Sequence, residues 1–300
     1  MKIVLAGGSG ALGRRIAEDL AARGHEIVVL SRSPRPGSAF RQVKWDGETV
    51  GPWASELSGA VVVNLAGELV DRRPTAAGIE LLTSSRVAPT EALAKAAADA
   101  AEPPSVWIQM STLAIFGDAG ERVIDETSPV ADGPPQMAGV ARAWEAAAAG
   151  VRATRRVTLR TSVVLDRDTP ALSRLTGLAR WGLGGRVGSG RQWVSWLHIG
   201  DFLAVVRRAL TDPDMSGIVH VTSPNPVRNA ELMATLRRQF RRPPAPPTPE
   251  PLVRLGAVVL RTDPLLALTG RHCVPTRLTE SGFEFGHPRL APALANLVSG

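Results

Sequence analysis

Three hundred residues, 44% of them hydrophobic, are enough to bury one full core, so a single α/β unit or a nucleotide domain with a smaller lobe is expected. The net charge of +7 is mostly arginine: lysine occurs only at Lys2, Lys44 and Lys95, and the other 32 of 35 basic residues are arginines spread along predicted helix faces. That reads as a solvated surface, not a nucleic-acid stripe, while one cysteine and five scattered histidines exclude an internal disulfide and give no metal site.

The chain opens MKIVLAGG, an apolar strand running into glycines without a basic leader, and no later stretch reaches transmembrane length. A cytoplasmic protein with no membrane contact is expected. Ile3 to Ala6 is the first of six apolar runs that read as buried strands; the others are Glu26 to Leu30, Ala60 to Leu65, Val106 to Met110, Val157 to Arg160 and Ile218 to Val221. Helical patterns alternate with them, which predicts an α/β fold of Rossmann type, a doubly wound parallel sheet with helices on both faces.

The first strand runs into Gly7-x-x-Gly10-x-x-Gly13, and Leu12, Ile16 and Leu20 then recur at helical spacing. Gly7 and Gly10 let the backbone turn tightly against a pyrophosphate, and Gly13 lets helix and strand pack closely. Ser9, Ala11 and Leu12 complete a cradle at the positive end of the helix. The second strand ends Leu30-Ser31-Arg32, with no acid between Ile27 and Lys44. NAD-preferring folds place a carboxylate there for the ribose 2′-OH, whereas Ser31 and Arg32 suit a 2′-phosphate, so the expected cofactor is NADP(H). Arg14 is a second candidate for that phosphate. Asn64, Leu65, Ala66 and Gly67 follow the next strand, where small residues leave room for the adenosine side; for Asn64 the equal alternative is a loop cap. Glu68 comes next, on the substrate side.

Further along, Ala138 to Ala149 is an alanine-rich helix around Trp144. After about Asp166 the pattern changes to a helix-like stretch, the glycine-rich GLGGRVGSGRQ from Gly182 to Gln192, and a strand WVSWLHI. A helix from Asp201 to Leu210 and the strand at Ile218 return to the sheet. Arg241 to Pro251 is too proline-rich for a regular helix or central strand, and Leu252 to Ser299 forms a short helical lobe. The expected organisation is a dinucleotide domain over 1–165, rejoined by 198–222, and a substrate-side lobe within 166–300, mostly 166–197 and 223–300.

NLAGE at Asn64 to Glu68, SSR at Ser84 to Arg86, FGD at Phe116 to Asp118 and GLGGRVGSGRQWVSWLHIGD at Gly182 to Asp201 carry a family resemblance. SPNPVRN at Ser223 to Asn229, VPTRL at Val274 to Leu278 and GFEF at Gly282 to Phe285 extend it over nearly the whole chain. The sequence resembles the extended short-chain dehydrogenase/reductase superfamily, and within it an atypical family labelled nucleoside-diphosphate-sugar epimerases with a C-terminal domain of unknown function. The resemblance implies the fold and a nicotinamide dinucleotide. The superfamily's mechanism uses a Ser or Thr after the fifth strand and a Tyr-x-x-x-Lys on the next helix, tyrosine acting as acid and base. Ser111-Thr112 matches the first element. The rest is missing: the chain contains no tyrosine and no lysine after Lys95, and the helix reads QMAGVARAWE from Gln136 to Glu145. Related sequences carry tyrosines at Ile115 and Phe116 and a tryptophan at Pro74, so this chain departs from its atypical relatives too.

Hydride transfer needs a bound nicotinamide, a positioned carbonyl, a proton and an oxyanion partner. Ser111 and Thr112 stand where a hydrogen bond to the reacting oxygen is made, or cap the strand end. Asp118, Asp125 and Glu126 follow as proton donors if burial raises a pKa, or as solvated loop acids. His198, between apolar neighbours, reads first as a satisfied core histidine and second as an acid or base. Asp201 reads as a helix N-cap. Arg191 and Arg228, the latter before an N-cap at Asn229, suit an anionic group on a small-molecule substrate. His272 and Cys273 are adjacent and do not face each other as a nucleophile pair. Three functions follow: an NADP(H)-dependent oxidoreductase or epimerase-like enzyme without the Tyr-Lys pair, a non-catalytic NADP(H)-binding sensor or scaffold, and a cofactor-independent lyase, cyclase or isomerase. Nothing in the sequence sets the oligomeric state.

Overall fold

A computed structural model describes residues 1–133 and 135–298. The first half alternates as its apolar runs require: β1 Lys2–Ala6, α1 Ala11–Ala21, β2 Glu26–Ser31, β3 Arg41–Lys44, β4 Val61–Asn64, α2 Ala76–Ala98 and β5 Val106–Thr112. A short β6 Val123–Ile124 precedes α3 Val140–Ala148, β7 Arg155–Thr161, β8 Val163–Leu165 and α4 Pro170–Arg180. Then come β9 Trp193–Val194, β10 Trp196–His198, α5 Ile199–Thr211, β11 Gly217–Val221, β12 Val227–Arg228 and α6 Asn229–Gln239. The chain closes with α7 Glu250–Leu260, α8 Leu265–Leu268, β13 His272–Cys273, α9 Thr276–Glu280 and α10 Leu290–Val298.

Seven strands form one parallel sheet in the order β11-β7-β5-β4-β1-β2-β3. Each of the six expected runs lies in a strand of it. The two-residue period of a strand divides the core. Ile3 and Leu5 pack with Ile16, Leu20, Phe202 and Val206 on one face, while Val4 and Ala6 pack with Trp53, Leu93 and Ala96 on the other. Burial on both faces explains why the runs are continuously apolar. The seventh strand, β3, carries a single apolar residue, Val43, in RQVK, because an edge strand needs less apolar surface. The chain runs outward from β1 through β2 and β3, returns to β4, and proceeds the other way. The crevice of such a sheet therefore opens at the carboxyl ends of β1 and β4.

Several local expectations are overturned. The stretch WVSWLHI is two strands, not one: β9 pairs antiparallel with β12, and β10 pairs parallel with β8. The break falls at Ser195, whose Oγ donates to Arg271 O (2.9 Å) and accepts from Cys273 N (3.1 Å). Helix α5 starts at Ile199 and is capped by His198, so Asp201 lies inside its first turn. The Asp201 carboxylate instead takes the amides of Gly286 and His287, at 2.7 and 3.0 Å. Asn229 is likewise the first residue of α6 and not its cap, its Oδ1 accepting from Val187 N at 2.8 Å. The proline-rich segment ends in α7, where Pro251 occupies the first turn and no amide donor is required of it. Among the described residues no helix is long and apolar enough to cross a membrane.

Candidate functional site

At two positions of the glycine turn, Gly7 and Gly13, only glycine fits. A Cβ on Gly13 would lie 2.6 Å from Gly8 Cα and 2.7 Å from Gly7 O, and one on Gly7, at φ +82°, would lie 2.8 Å from Leu65 O. The first contact seats α1 on the turn, and the second presses the turn against the loop after β4. Helix α1 has Gly10 as N-cap, no side-chain cap bond and no acid in its first turn. Its amino end therefore presents amides and a positive dipole end to an incoming anion. Ser9 is exposed there, and Ala11 and Leu12 are half-buried.

Ser31 ends β2 buried, with Oγ accepting from Ser33 N (3.2 Å). Arg32 extends outward, its side chain 74% exposed, and meets Glu68 at 3.6 Å. Glu68 also holds Arg72 at 3.0 Å. The fold thus sets the expected phosphate-binding arginine against the glutamate of the β4 loop, 36 residues on in the numbering. Arg14 is exposed on α1.

Asn64 is fully buried and its amide is engaged inside the protein. Nδ2 donates to Thr90 Oγ1 (2.8 Å) and Gln109 Oε1 (3.1 Å), and Oδ1 accepts from Ala66 N (3.1 Å). The loop Leu65, Ala66, Gly67 is tied down by this bracing and by Arg86. That guanidinium donates to Glu68 O (2.8 Å) and Leu82 O (3.0 Å), and lies 5.2 Å from the Trp144 ring centroid. Trp144 Nε1 donates to Thr90 Oγ1 at 3.1 Å, which closes a buried circuit between α2 and α3. Nothing in local pattern marks Arg86; its one sequence signal is the SSR motif.

At the end of β5, Ser111 Oγ donates to Glu145 Oε1 at 2.5 Å. Arg160 on β7 takes the same carboxylate in bidentate fashion, at 2.9 and 2.8 Å, and both side chains lie in the interior. Ser111 is thereby committed to a buried ion pair that the sequence did not disclose. Thr112, half-buried, accepts from Ala114 N (3.1 Å), a bond that leaves the donor side of its hydroxyl unused. Helix α3 turns Val140, Ala141 and Trp144 inward beside the Glu145 carboxylate that Arg160 and Ser111 hold.

Beyond Arg160 the interior continues through the Phe116 ring (5.3 Å) to His220, whose ring centroid is 5.3 Å from that of Phe116. His220 Nδ1 faces Val274 O at 3.2 Å and its Nε2 has no hydrogen-bond partner. Burial pushes its pKa down from 6.5 to about 4. Between those two values the unfolded chain binds a proton that the folded chain refuses. The His220 contribution to stability should therefore fall as pH drops from about 6.5 to about 4 and stay constant below, by roughly 3 kcal/mol in total. Urea midpoints across that range test it, and His220→Gln should flatten this part of the slope. Glu126 accepts from His220 N at 3.0 Å and its pKa is raised by burial, whereas Asp125 is lowered by the hydroxyls and amides of Thr127 and Ser128.

The two arginines of the glycine-rich and β12 segments meet in one pocket of about 170 Å³ that Asp118, Trp193 and Gly270 also line. Arg228 stacks 3.8 Å from the Trp193 ring centroid and clamps Glu121 at 3.0 and 2.5 Å, with Arg191 3.9 Å from the same carboxylate. Glu121, its pKa lowered to about 2 chiefly by the Arg228 hydrogen bond, was not singled out by the sequence and is the counter-charge to both. Asp118 accepts from Gly270 N at 3.2 Å.

His198 serves packing: Nδ1 accepts from Gly200 N (3.0 Å), Nε2 lies 3.1 Å from Asn296 Oδ1, and the ring stacks on His287 at 3.7 Å. Burial, then His287, lowers its pKa. Cys273 is buried and its thiol is pushed up to about 12 by that burial, while His272 stacks on Trp193 at 4.1 Å. Neighbours on a strand face opposite ways, and the two make no pair.

The profile of the NAD dependent epimerase/dehydratase family matches residues 3–221, and that of a domain of unknown function, DUF1731, matches 248–297. The human epimerase family protein SDR39U1 is 33% identical over all of both chains. Its Arabidopsis thaliana homologue, whose name reads chloroplastic, is 31% identical over 99% of this chain and 87% of that one. The crystal structure of human SDR39U1 (isoform 2) with NADPH superposes with a TM-score of 0.88 at 32% identity, covering all of both chains.

Proposed function

We propose, since this chain belongs to the NAD dependent epimerase/dehydratase family, that it binds NADP(H) and acts as an oxidoreductase or epimerase-like enzyme on a small carbonyl or hydroxyl compound. The observation that carries the cofactor reading is the cradle itself: an uncapped helix end beside glycines whose Cβ positions are taken by backbone. The NADPH in the human SDR39U1 structure supports the same reading. The amides at the start of α1 hold the pyrophosphate, and Arg32 grips the 2′-phosphate by exchanging Glu68 for it. When bound, the dinucleotide supplies or accepts a hydride. Thr112 hydrogen-bonds the reacting oxygen, and Arg228 with Arg191 orients an anionic group of the substrate.

The proton source is not a tyrosine, since the chain has none. On the inner face of α3 stand Val140, Ala141 and Trp144, with its one acid, Glu145, held by Arg160, which supports a second reading, a dinucleotide-binding protein without turnover. The protein is read as cytoplasmic, with no nucleic-acid or membrane partner.

Titration with NADPH and NADH tests the cofactor reading: NADPH binds and NADH binds more weakly, whereas binding of neither overturns it. Arg32→Ala should weaken NADPH by roughly 10- to 100-fold, the worth of a charge-assisted bond, and leave NADH nearly unchanged. Single-turnover oxidation of bound NADPH against a panel of carbonyl compounds separates enzyme from sensor.

A further inference from the structure

We propose that Glu68 is a specificity-determining residue of the dinucleotide site, a carboxylate that accepts the ribose 2′-hydroxyl of NAD(H) where Arg32 takes the 2′-phosphate of NADP(H). The inference rests on the cofactor reading above and goes further: it gives the site a second, weaker cofactor and lets one side chain set the ratio between the two.

Folds that prefer NAD(H) place a carboxylate at the end of the second strand, and an arginine there suits NADP(H). This chain has no acid between Ile27 and Lys44, yet the folded molecule brings one from another element. Glu68, on the loop after β4, lies with Oε1 3.6 Å from Arg32 Nη2. Both kinds of ribose reader therefore meet at one edge of the cradle. Asp71, the next acid of this loop, is taken up by Arg174 at 2.6 Å.

The main chain of Glu68 is pinned on both sides by consecutive residues of α2. Glu68 N donates to Ser85 Oγ at 3.1 Å, and Glu68 O accepts from Arg86 at 2.8 Å. Arg86 is buried against the loop, where a Cβ on Gly67 would lie 3.0 Å from its guanidinium carbon. Only the Glu68 side chain, 28% exposed, is left to respond to a ligand.

That side chain bridges two cations. Oε2 accepts from Arg72 Nη2 at 3.0 Å, whereas the contact of Oε1 with Arg32 is an ion pair beyond hydrogen-bond length. Arg32 is thus the partner released when a phosphate arrives, and Arg72 keeps the carboxylate neutralised. A 2′-hydroxyl requires no such exchange: it donates to Glu68 and leaves both arginines in place. Removing the carboxylate acts on the two cofactors in opposite directions. NADP(H) is freed from a charge that competes for Arg32 and repels its phosphate, and NAD(H) loses its acceptor.

Dissociation constants for NADPH, NADH, adenosine 2′,5′-bisphosphate and adenosine 5′-diphosphate are measured by isothermal titration calorimetry on the wild type, Glu68→Ala and Arg72→Met. In Glu68→Ala, NADPH and the bisphosphate should bind roughly three- to tenfold more tightly, while NADH and adenosine 5′-diphosphate should weaken by a similar factor. Arg72→Met should weaken NADPH and the bisphosphate by about threefold, through a carboxylate left without its counter-charge, and spare the other two. A folded Glu68→Ala protein that shifts all four ligands the same way marks a loop support and overturns the proposal. So does one that shifts none of them, or a wild type that binds NADPH with no measurable affinity for NADH. A wild type that binds neither dinucleotide defeats the cofactor reading itself, and the proposal falls with it.

Discussion

Glu145→Ala should destabilise the protein by about 3–5 kcal/mol, read as a fall in the urea midpoint at constant slope. Removing the carboxylate strands Arg160, whose side chain is 5% exposed and whose Nε and Nη2 both point at Glu145. Ser111 loses its acceptor in the same step. The aromatic neighbour of Arg160, the Phe116 ring at 5.3 Å, gives partial cover to a cation but cannot accept its hydrogen bonds. The loss should be strongly non-additive. Replacing both partners, as in Glu145→Leu with Arg160→Met, removes the desolvation cost along with the attraction and should recover most of the stability. A double variant as unstable as the sum of the singles would mean that the two side chains act separately, against the geometry.

Gly13→Ala should abolish dinucleotide binding and destabilise the fold by about 1–3 kcal/mol, the cost of forcing an extra carbon into a filled space. All three nearest atoms to the new Cβ are backbone atoms of Gly7 and Gly8, at 2.6 to 2.8 Å, so no side chain can swing away. The relief available is a shift of α1 off the turn, which moves the helix amides from the place where phosphate is held. Gly177→Ala is the control. That glycine lies inside α4 with nothing within 4 Å of a Cβ, so alanine there should gain up to about 1 kcal/mol from helix propensity and leave binding alone. Differential scanning with and without NADPH reads both quantities: the ligand-induced rise in Tm should vanish in Gly13→Ala and persist in Gly177→Ala.

The bridge from Arg32 to Glu68 shows how composition and geometry combine. The missing acid after β2 is visible in the sequence, and an arginine there was expected to meet a phosphate. The structure adds that the arginine already faces a carboxylate at 3.6 Å, with its own side chain 74% exposed, a pairing weak enough for a phosphate to displace.

Where a residue's role is set by its chain neighbours, the amino-acid order alone was sufficient. The six apolar runs became strands because burial on both faces demands continuous apolar sequence, and Gly7 and Gly13 declared a tight turn because a backbone angle and a close approach are local requirements, whereas Gly10, at φ −72°, has room for a Cβ. Where a role depends on a partner brought from far along the chain, only the folded molecule could assign it. Glu145 with Arg160, Glu121 with Arg228, and Asp201 with the amides of Gly286 and His287 span separations of 15, 107 and 85 or more residues. Polar side chains carry no periodic signal of the partner they will meet. His198 and Asn64, both chemically able to serve a site, were turned to caps and braces by packing, which decides which polar groups face a ligand and which are consumed in holding the frame.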